Sequence, residues 1–264
     1  MIDSLKKTLL VIKKNKSKVF LIFFLQVIFF IVLSMIFYQQ IIPAMHHAKN
    51  AVDYYDNIDT VENPGMFAYL GDDPLTIYEN YTLMMSYLKL MVLYSILAFI
   101  IINGLIWSFS DNLISKKTTK QFFTYLLNFT IITLSFTFLF YVLIFSTLKS
   151  SLIKLEYTFL PLVGALFLSG LLMYFIVISF SLIDKRKIKD ILKLIFPVGI
   201  FKFSKIILIY LINLLIISFF SYLIYLTIEY NIVFLSIVLI LFVFSFVFIR
   251  LFLIVSINSL VQKN

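Results

Sequence analysis

Six uninterrupted apolar stretches constrain the fold of this chain more than any other feature of its sequence. They cover residues 19–42, 83–109, 122–148, 157–183, 206–228 and 232–257. Each exceeds the roughly 20 apolar residues that a helix needs to cross the hydrocarbon core of a bilayer. Only 13% of the residues are charged, against about 25% in soluble proteins. The sequence therefore predicts an all-α, polytopic membrane protein with six transmembrane helices.

Lysine and arginine are concentrated in every second segment between these stretches. The segments before span one, between spans two and three, and between spans four and five are rich in lysine, with Arg186 in the third, whereas the other segments hold only Lys49, Lys149 and Lys154. By the positive-inside rule, both termini are cytoplasmic and the protein is a multi-pass component of the cell membrane. A cleaved signal peptide is not expected, because residues 19–42 exceed the ~7–15 residues of its apolar region and no small-residue cleavage site follows.

The segment 43–82 is predicted to be a solvated external loop. It contains seven acidic residues, and its Asn-Pro-Gly and Gly-Asp-Asp-Pro sequences favour turns. His46 and His47 also lie there. With Asp53 and Asp56 they suggest at most a weak divalent-ion site, because the spacing of an EF-hand calcium loop is absent. We expect neither a metal nor a cofactor in this protein.

Two cytoplasmic stretches, about 2–17 and 186–196, have the spacing of amphipathic helices lying flat at the inner interface. In the second, Pro197 is expected to end the helix. Lipid or partner contacts are expected from its basic residues Lys185, Arg186, Lys187, Lys189 and Lys193. Two roles are open for these helices: they anchor the protein in the bilayer, or they dock a soluble cytoplasmic subunit.

Polar residues recur at one depth within the spans. Lys120 and Lys205 each stand eight residues before an asparagine, Asn128 and Asn213, with matching Tyr-Leu pairs between. A weaker copy leads to Gln26, so the chain is predicted to be three helical hairpins in parallel orientation. Eight residues place each amide about 12 Å beyond its lysine.

Two further polar side chains, Asn103 and Arg250, reach the same depth from the opposite helix direction. One interpretation of these five residues is hydrogen bonding between helices, with Arg250 extending to the headgroups. The other is a ligand site, in which Arg250 and the four amides line a cytoplasm-facing cavity for a phosphate or carboxylate. The sequence leaves both open.

Catalytic motifs are missing from the sequence. There is no cysteine, and we find no nucleophile with a base, no paired-aspartate site inside the spans and no Walker A motif. The net charge of +9 does not indicate nucleic acid, because the basic residues sit in short segments beside the membrane, where anionic lipid headgroups are the expected counter-charge. We therefore expect a protein that is not an enzyme.

The chain resembles uncharacterised six-helix membrane families in three features. They are the basic amphipathic N-terminal segment, the three predicted hairpins and the sequence Arg250-Leu-Phe-Leu near the end of the last span. One comparison is the membrane domain attached to some glycerophosphodiester phosphodiesterases. The resemblance implies a six-helix membrane fold and carries over no catalytic position. Mitochondrial carriers are excluded, because the P-x-[DE]-x-x-[KR] signature is missing.

Residues 1–264 are thus predicted to form a single membrane domain. The leading functional hypothesis is a permease, or the membrane subunit of a transport complex, for an anionic or amphipathic molecule. The alternative is a membrane scaffold or assembly factor that binds lipids or partner proteins without transport. Expected partners are the bilayer with its anionic headgroups, a cytoplasmic subunit or a second copy of the chain.

Overall fold

Helices make up nearly all of the chain that the computed structural model describes, which comprises residues 2–59, 74–115, 118–153, 159–183, 188–229 and 232–262. They are α1 (Ile2–Lys14), α2 (Lys16–Asp59), α3 (Pro74–Ala98), a π-helical segment (Phe99–Asn103), α4 (Gly104–Ser115), α5 (Thr119–Ile153), α6 (Phe159–Leu182), α7 (Ile188–Phe201), α8 (Phe203–Thr227) and α9 (Ile232–Gln262). No strand occurs in these ranges, which confirms the all-α class for this part of the chain.

Six of these helical stretches are long and apolar enough to cross a bilayer. They are Lys16–Val52, Leu75–Ser115, Thr119–Leu143, Val163–Leu182, Phe203–Thr227 and Ile232–Val261. Each overlaps one apolar stretch of the sequence, as expected of a multi-pass membrane protein. The prediction of six membrane-length helices is confirmed, whereas the three-hairpin arrangement and the direction of insertion stay predictions.

The second of these stretches contains the π-helical segment Phe99–Asn103 between α3 and α4. In a π-helical turn the backbone hydrogen bonds join residues five apart, where an α-helix joins residues four apart. Such turns are rare, and those that occur are often at functional sites. No proline or glycine lies within it, so the sequence carried no warning of it. Its last residue is Asn103. We call the five polar residues predicted to lie at one depth the polar tier: Gln26, Asn103, Asn128, Asn213 and Arg250.

The chain divides into two compact units. One comprises Met1–Val27 and Asn103–Asn264, and the other comprises Ile28–Ile102. The first unit holds the beginning of α2 together with α1 and α4 to α9, and the second holds the rest of α2 and α3. The predicted single domain over residues 1–264 stays a prediction.

The core of the first unit is built around the end of α9. This helix packs against α1, α4, α6 and α8, and its residues 249–257 are all buried. The beginning of α9 is exposed, with 79% of Ile232 accessible. In α6 the fully buried residues also lie at the end that precedes a basic segment. The core of this unit is therefore concentrated near the lysine-rich segments, while the opposite ends of α8 and α9 present apolar side chains outward, as lipid-facing helices do.

Part of the predicted external loop, residues 43–82, is helical. Helix α2 continues through Pro43 to Asp59, and α3 begins at Pro74, so the two ends of this segment are helical and only residues 60–73 lie outside the described part. At ~1.5 Å per residue, the 44 residues of α2 extend about 66 Å, well beyond a ~30 Å hydrocarbon core. The turn-forming Asn-Pro-Gly sequence falls outside the described residues.

The prediction that Pro197 ends the interfacial helix is wrong, because α7 runs through it to Phe201. Proline removes the hydrogen bond to the carbonyl of Lys193, but both residues lie on the exposed side of the helix. On the buried side, the Tyr174 hydroxyl of α6 donates to the carbonyl of Gly199, 2.7 Å away. Packing against α6 and α8 thus extends the helix past the proline.

Helix α1 ends at Lys14, earlier than the predicted residue 17, and Asn15 separates it from α2. The buried face of α1 is polar, and the apolar side faces outward. Ser4 and Thr8, one turn apart, are buried, whereas Ile2 and Leu9 are exposed. Small side chains let helices approach closely, and α1 contacts α9 in this way. Its apolar side is left outward, where a bilayer would cover it.

Candidate functional site

Arg250 is the most enclosed cation in the described part of the chain. It lies in the buried stretch of α9 and is only 7% exposed. A charged side chain inside a membrane span costs about 2.5–3.5 kcal/mol on insertion scales, so it is rare and is usually paired or functional. The contacts that Arg250 makes bear on both interpretations of the polar tier.

The guanidinium group of Arg250 contacts three other helical segments. Its Nη2 donates to Oε1 of Gln26 at 2.8 Å and to Oδ1 of Asn103 at 3.2 Å. Its Cζ lies 5.4 Å from the centroid of the Trp107 ring, within the range of a cation–π contact. We call Arg250, Gln26, Asn103 and Trp107 the arginine cluster. It joins α9 to α2, to the end of the π-helical segment and to α4.

Helical spacing explains why these side chains meet. Gln26 shares the buried face of α2 with Val19, Ile22 and Phe29, at intervals of three and four residues. Asn103 and Trp107 are four residues apart and lie on one face of the second span. Gln26 thus meets α9 from a face of α2 that is otherwise apolar, whereas Asn103 and Trp107 share their side of the second span with the buried residues Ser110 and Asp111.

The two hydrogen bonds leave much of the donor capacity of Arg250 unused. Among the described residues, its Nε and Nη1 have no hydrogen-bond partner. A guanidinium group has five N–H donors, and the two acceptors match the two hydrogens of Nη2. Both acceptors are neutral amide oxygens. The arginine cluster thus holds a buried positive charge with unpaired donors, which is the arrangement that an anion would complete.

The predicted polar tier is brought together only in part. Gln26 and Asn103 hydrogen-bond to Arg250, whereas the bonds of Arg250 do not include Asn128 or Asn213. Asn128 is buried on α5, and Asn213 is buried on α8 with both amide atoms unpaired among the described residues. One depth was predicted for all five residues, but Arg250 bonds to only two of the four amides, and the depth of Asn128 and Asn213 stays a prediction. Their predicted role in binding a ligand stays a prediction.

Trp107 was missed by the sequence interpretation, although a signal existed. It is the only tryptophan in the chain, it follows Asn103 by one helical turn, and it is buried. Its ring also lies 5.4 Å from that of Phe180 on α6. The Trp107 ring therefore lies between the guanidinium group of Arg250 and the ring of Phe180, to which it is tilted by 56°.

Helix α7 carries the described part of the predicted basic surface. Lys189 and Lys193 are exposed on it, whereas Lys185, Arg186 and Lys187 lie outside the described residues. Leu192, Phe196 and Ile200 follow one another at intervals of four residues and are also exposed. We call this face of α7, with Lys189 and Lys193, the α7 face. It combines apolar and basic side chains, as membrane-surface helices do.

The opposite side of α7 is held by a chain of tyrosines that the sequence did not suggest. Tyr174 of α6 donates to the carbonyl of Gly199 at 2.7 Å, and Tyr210 of α8 donates to the carbonyl of Tyr174 at 3.1 Å. Ile191 and Ile195 of α7 are completely or almost completely buried. These contacts fix the position of α7 against two spans.

The histidines lie in the second unit. His47 Nδ1 is 2.9 Å from Oδ1 of Asn80, and the His47 ring stacks on Tyr87. Asn80 Nδ2 donates to the carbonyl of Thr76, so both ends of the amide are engaged. Among the described residues no group of three histidine or acidic side chains converges; the side chains of Asp53 and Asp56 are outside them.

No protein-family model, no curated protein and no solved structure matches this chain. The resemblance to the membrane domain of glycerophosphodiester phosphodiesterases stays a prediction. The case for a function therefore depends on the geometry of the arginine cluster and the α7 face.

Proposed function

We propose that this protein is a permease, or the membrane subunit of a transport complex, for an anionic or amphipathic molecule. The observation that carries the proposal is the burial of Arg250 with its Nε and Nη1 unpaired. Neutral amides offset a buried positive charge only in part, so an anionic group entering the arginine cluster gains more there than it would elsewhere in a span.

The donor geometry indicates how such an anion would bind. A bidentate carboxylate or phosphate uses Nη2 together with either Nε or Nη1, and Nη2 is occupied by Gln26 and Asn103. A bidentate ligand must therefore displace one amide oxygen. The bond to Asn103 is the longer of the two, and Asn103 ends the π-helical segment, so we expect it to be displaced first.

Binding also requires a second conformation of the helices. Arg250 is 7% exposed, which means that the cluster is closed to any ligand of molecular size. Transporters alternate between conformations in which a site near the middle of the membrane is open to one side or to the other. In this proposal the present arrangement is the closed state, and the amide oxygens of Gln26 and Asn103 hold the place of the anion.

The remainder of the proposal concerns orientation and partners. Both termini face the cytoplasm of the cell, α1 and α7 contact anionic headgroups, and the chain performs no covalent chemistry. A cytoplasmic subunit that supplies energy would bind at α7, since this helix connects two spans and is held firmly against both. Nucleic acid is not a partner.

A scaffold that binds a partner without transport is the second candidate. The α7 face favours it, because exposed Leu192, Phe196 and Ile200 beside Lys189 and Lys193 suit a protein groove as well as a lipid surface. In that case Arg250 serves only to hold α9, α2 and α4 together.

Lipid transfer in proteoliposomes distinguishes the two candidates. Fluorescently labelled phosphatidylglycerol, which is anionic, and phosphatidylcholine, which is not, are each followed across the bilayer with the wild type and with Arg250→Ala and Arg250→Lys. Lys89→Ala is the matched control, because Lys89 is a cation in a predicted span that is exposed and outside the cluster. Transport predicts transfer of the anionic lipid that both Arg250 variants reduce and the control preserves.

Purification in mild detergent supplies the complementary result. A stoichiometric cytoplasmic subunit, lost when Lys189 and Lys193 are replaced by glutamate, together with no transfer of either lipid, would support the scaffold. Transfer unaffected by Arg250→Ala would contradict the role of the arginine cluster.

A further inference from the structure

An apolar groove runs between α8 and α9 on the side of α9 away from the arginine cluster. It is lined by Ile216, Phe220, Leu241, Phe244, Ser245 and Phe248 and has a volume of about 250 Å³. The Ser245 hydroxyl donates to the carbonyl of Phe242 in its own helix, so no lining group offers an unused polar hydrogen. An apolar cavity of about 150 Å³ is sufficient to bind benzene, so this groove is large enough for part of an acyl chain.

Asn213 lies on α8 about one helical turn before the residues that line this groove. It precedes Ile216 and Phe220 by three and seven residues, which places the three side chains on one face of α8. It is 5% exposed, and neither Oδ1 nor Nδ2 has a hydrogen-bond partner among the described residues. An amide without partners inside a span loses its hydrogen bonds to water without replacement, at a cost of several kcal/mol. Such a group indicates a ligand that completes it.

We propose that this groove binds a long-chain fatty acid, with the acyl chain between α8 and α9 and the neutral carboxyl group hydrogen-bonded to Asn213. The amide offers one acceptor, Oδ1, and the donors on Nδ2. A neutral carboxyl group offers the matching pair, an O–H donor and a carbonyl acceptor, so one ligand satisfies both ends of Asn213. Phe248 lines the end of the groove near Asn213, and we expect its ring to rotate aside on binding.

The depth of Asn213 selects a free fatty acid over a phospholipid. Asn213 lies eight residues beyond Lys205, about 12 Å along the helix, while half of a hydrocarbon core is about 15 Å thick. With Lys205 at the headgroup level, the amide lies close to the bilayer centre. The ester groups and phosphate of a phospholipid stay at the interface and do not reach it. A fatty acid has one small polar group, which becomes uncharged on accepting a proton.

This site is separate from the arginine cluster and does not depend on the proposed transport function. Ser245 and Phe248 lie on the groove face of α9, whereas Arg250 contacts Gln26, Asn103 and Trp107 on another face. A fatty acid in the groove is equally compatible with a permease and a scaffold. Failure of either proposal therefore leaves the other standing.

Photolabelling of the full-length chain in nanodiscs tests the site. The probe is palmitic acid with a diazirine in its acyl chain, and the labelled peptides are located by mass spectrometry. Leu241→Trp fills the groove, while Leu239→Trp is the matched control, because Leu239 is similarly exposed on the same helix but does not line the groove. We expect labelling of α8 and α9 that unlabelled palmitic acid displaces, that Leu241→Trp removes and that Leu239→Trp preserves.

Replacement of the amide provides a second, independent measurement. Asn213→Leu keeps the size of the side chain and breaks no hydrogen bond, so the variant is expected to fold with unchanged or higher thermal stability. It should weaken competition by palmitic acid at least tenfold. The proposal is overturned if labelling is equal in both tryptophan variants, if a phospholipid probe labels the same residues without displacement by palmitic acid, or if the chain crosslinks only to a second copy of itself.

Discussion

Gln26 and Arg250 are 224 residues apart in the sequence, and their side chains are 2.8 Å apart in the structure, with Nη2 of the arginine donating to Oε1 of the glutamine. Both are buried. This bond closes the first unit by joining the start of α2 to the last helix. It also fixes which side of α9 carries the positive charge, and several properties of the protein should follow from it.

Replacing both partners of this bond should lower the unfolding free energy by less than the two single replacements added together. Gln26→Leu leaves Arg250 buried with a single acceptor, and we expect a loss of about 1.5–3 kcal/mol in unfolding free energy, as for hydrogen bonds to charged groups. Gln26→Leu combined with Arg250→Met should cost less than the sum of the single changes, because the apolar pair leaves no buried charge. Unfolding of detergent-solubilised variants in SDS measures all three, and additive losses would contradict the coupling.

The position of Trp107 gives the arginine cluster its own optical signal. Because it is the only tryptophan in the chain, and its ring is 5.4 Å from the Arg250 Cζ, an anion that displaces an amide should change its fluorescence. We expect titration with dodecyl phosphate to shift the emission of the wild type and to leave that of Arg250→Met unchanged. Dodecyl maltoside, which has the same alkyl chain and no charge, is the control. A shift with both amphiphiles would indicate a general detergent effect and would count against an anion site.

Close packing at Gly199 predicts that α7 cannot accept even a methyl group there. A Cβ at this position would lie 2.7 Å from Cε1 of Phe175, and the Phe175 ring is itself packed against Phe196. Gly199→Ala should therefore displace α7 and lower the unfolding free energy by about 1–3 kcal/mol, as overpacking does. Thermal unfolding monitored by circular dichroism measures the loss.

Gly170→Ala is the matched control for this change. Gly170 lies in α6, and a Cβ there would meet nothing within 4 Å. Because alanine favours a helix over glycine by about 1 kcal/mol, this variant should be neutral or slightly stabilised. Equal destabilisation by both substitutions would mean that space around Gly199 is not the cause.

The sequence predicted the spans well because membrane thickness and helix rise leave little freedom. Six apolar stretches gave six membrane-length helices, and depth counting placed Gln26, Asn103 and Arg250 at one level. The sequence did not predict which way Asn128 and Asn213 face around the axes of their helices. Helices α5 and α8, which carry these two residues, have no strong apolar periodicity in their sequences that identifies the inward face.

The errors have a common cause in contacts between helices. Pro197 would end an isolated helix, yet packing of Gly199 on Tyr174 carries α7 onward. Amphipathic spacing identified the apolar side of α1, which lies outward, but gave no sign that α1 would contact α9 and bury Ser4 and Thr8. The π-helical segment at Asn103 has no local sequence signal. In each case a tertiary contact overrode a rule that holds for single helices.

The contact of α1 with α9 depends on the small size of the residues between them, and it can be tested without touching the arginine cluster. Thr8 is completely buried, and its hydroxyl donates to the carbonyl of Ser4. Thr8→Phe adds a ring where α9 passes, so we expect α1 to separate and the unfolding free energy to fall by about 1–3 kcal/mol. Leu9→Phe, at a position that is 57% exposed, should change neither the contact of α1 with α9 nor the unfolding free energy. Limited trypsin cleavage at Lys13 and Lys14 reports separation directly, and cleavage that is equally slow in both variants would show that α1 does not need Thr8 to bind α9.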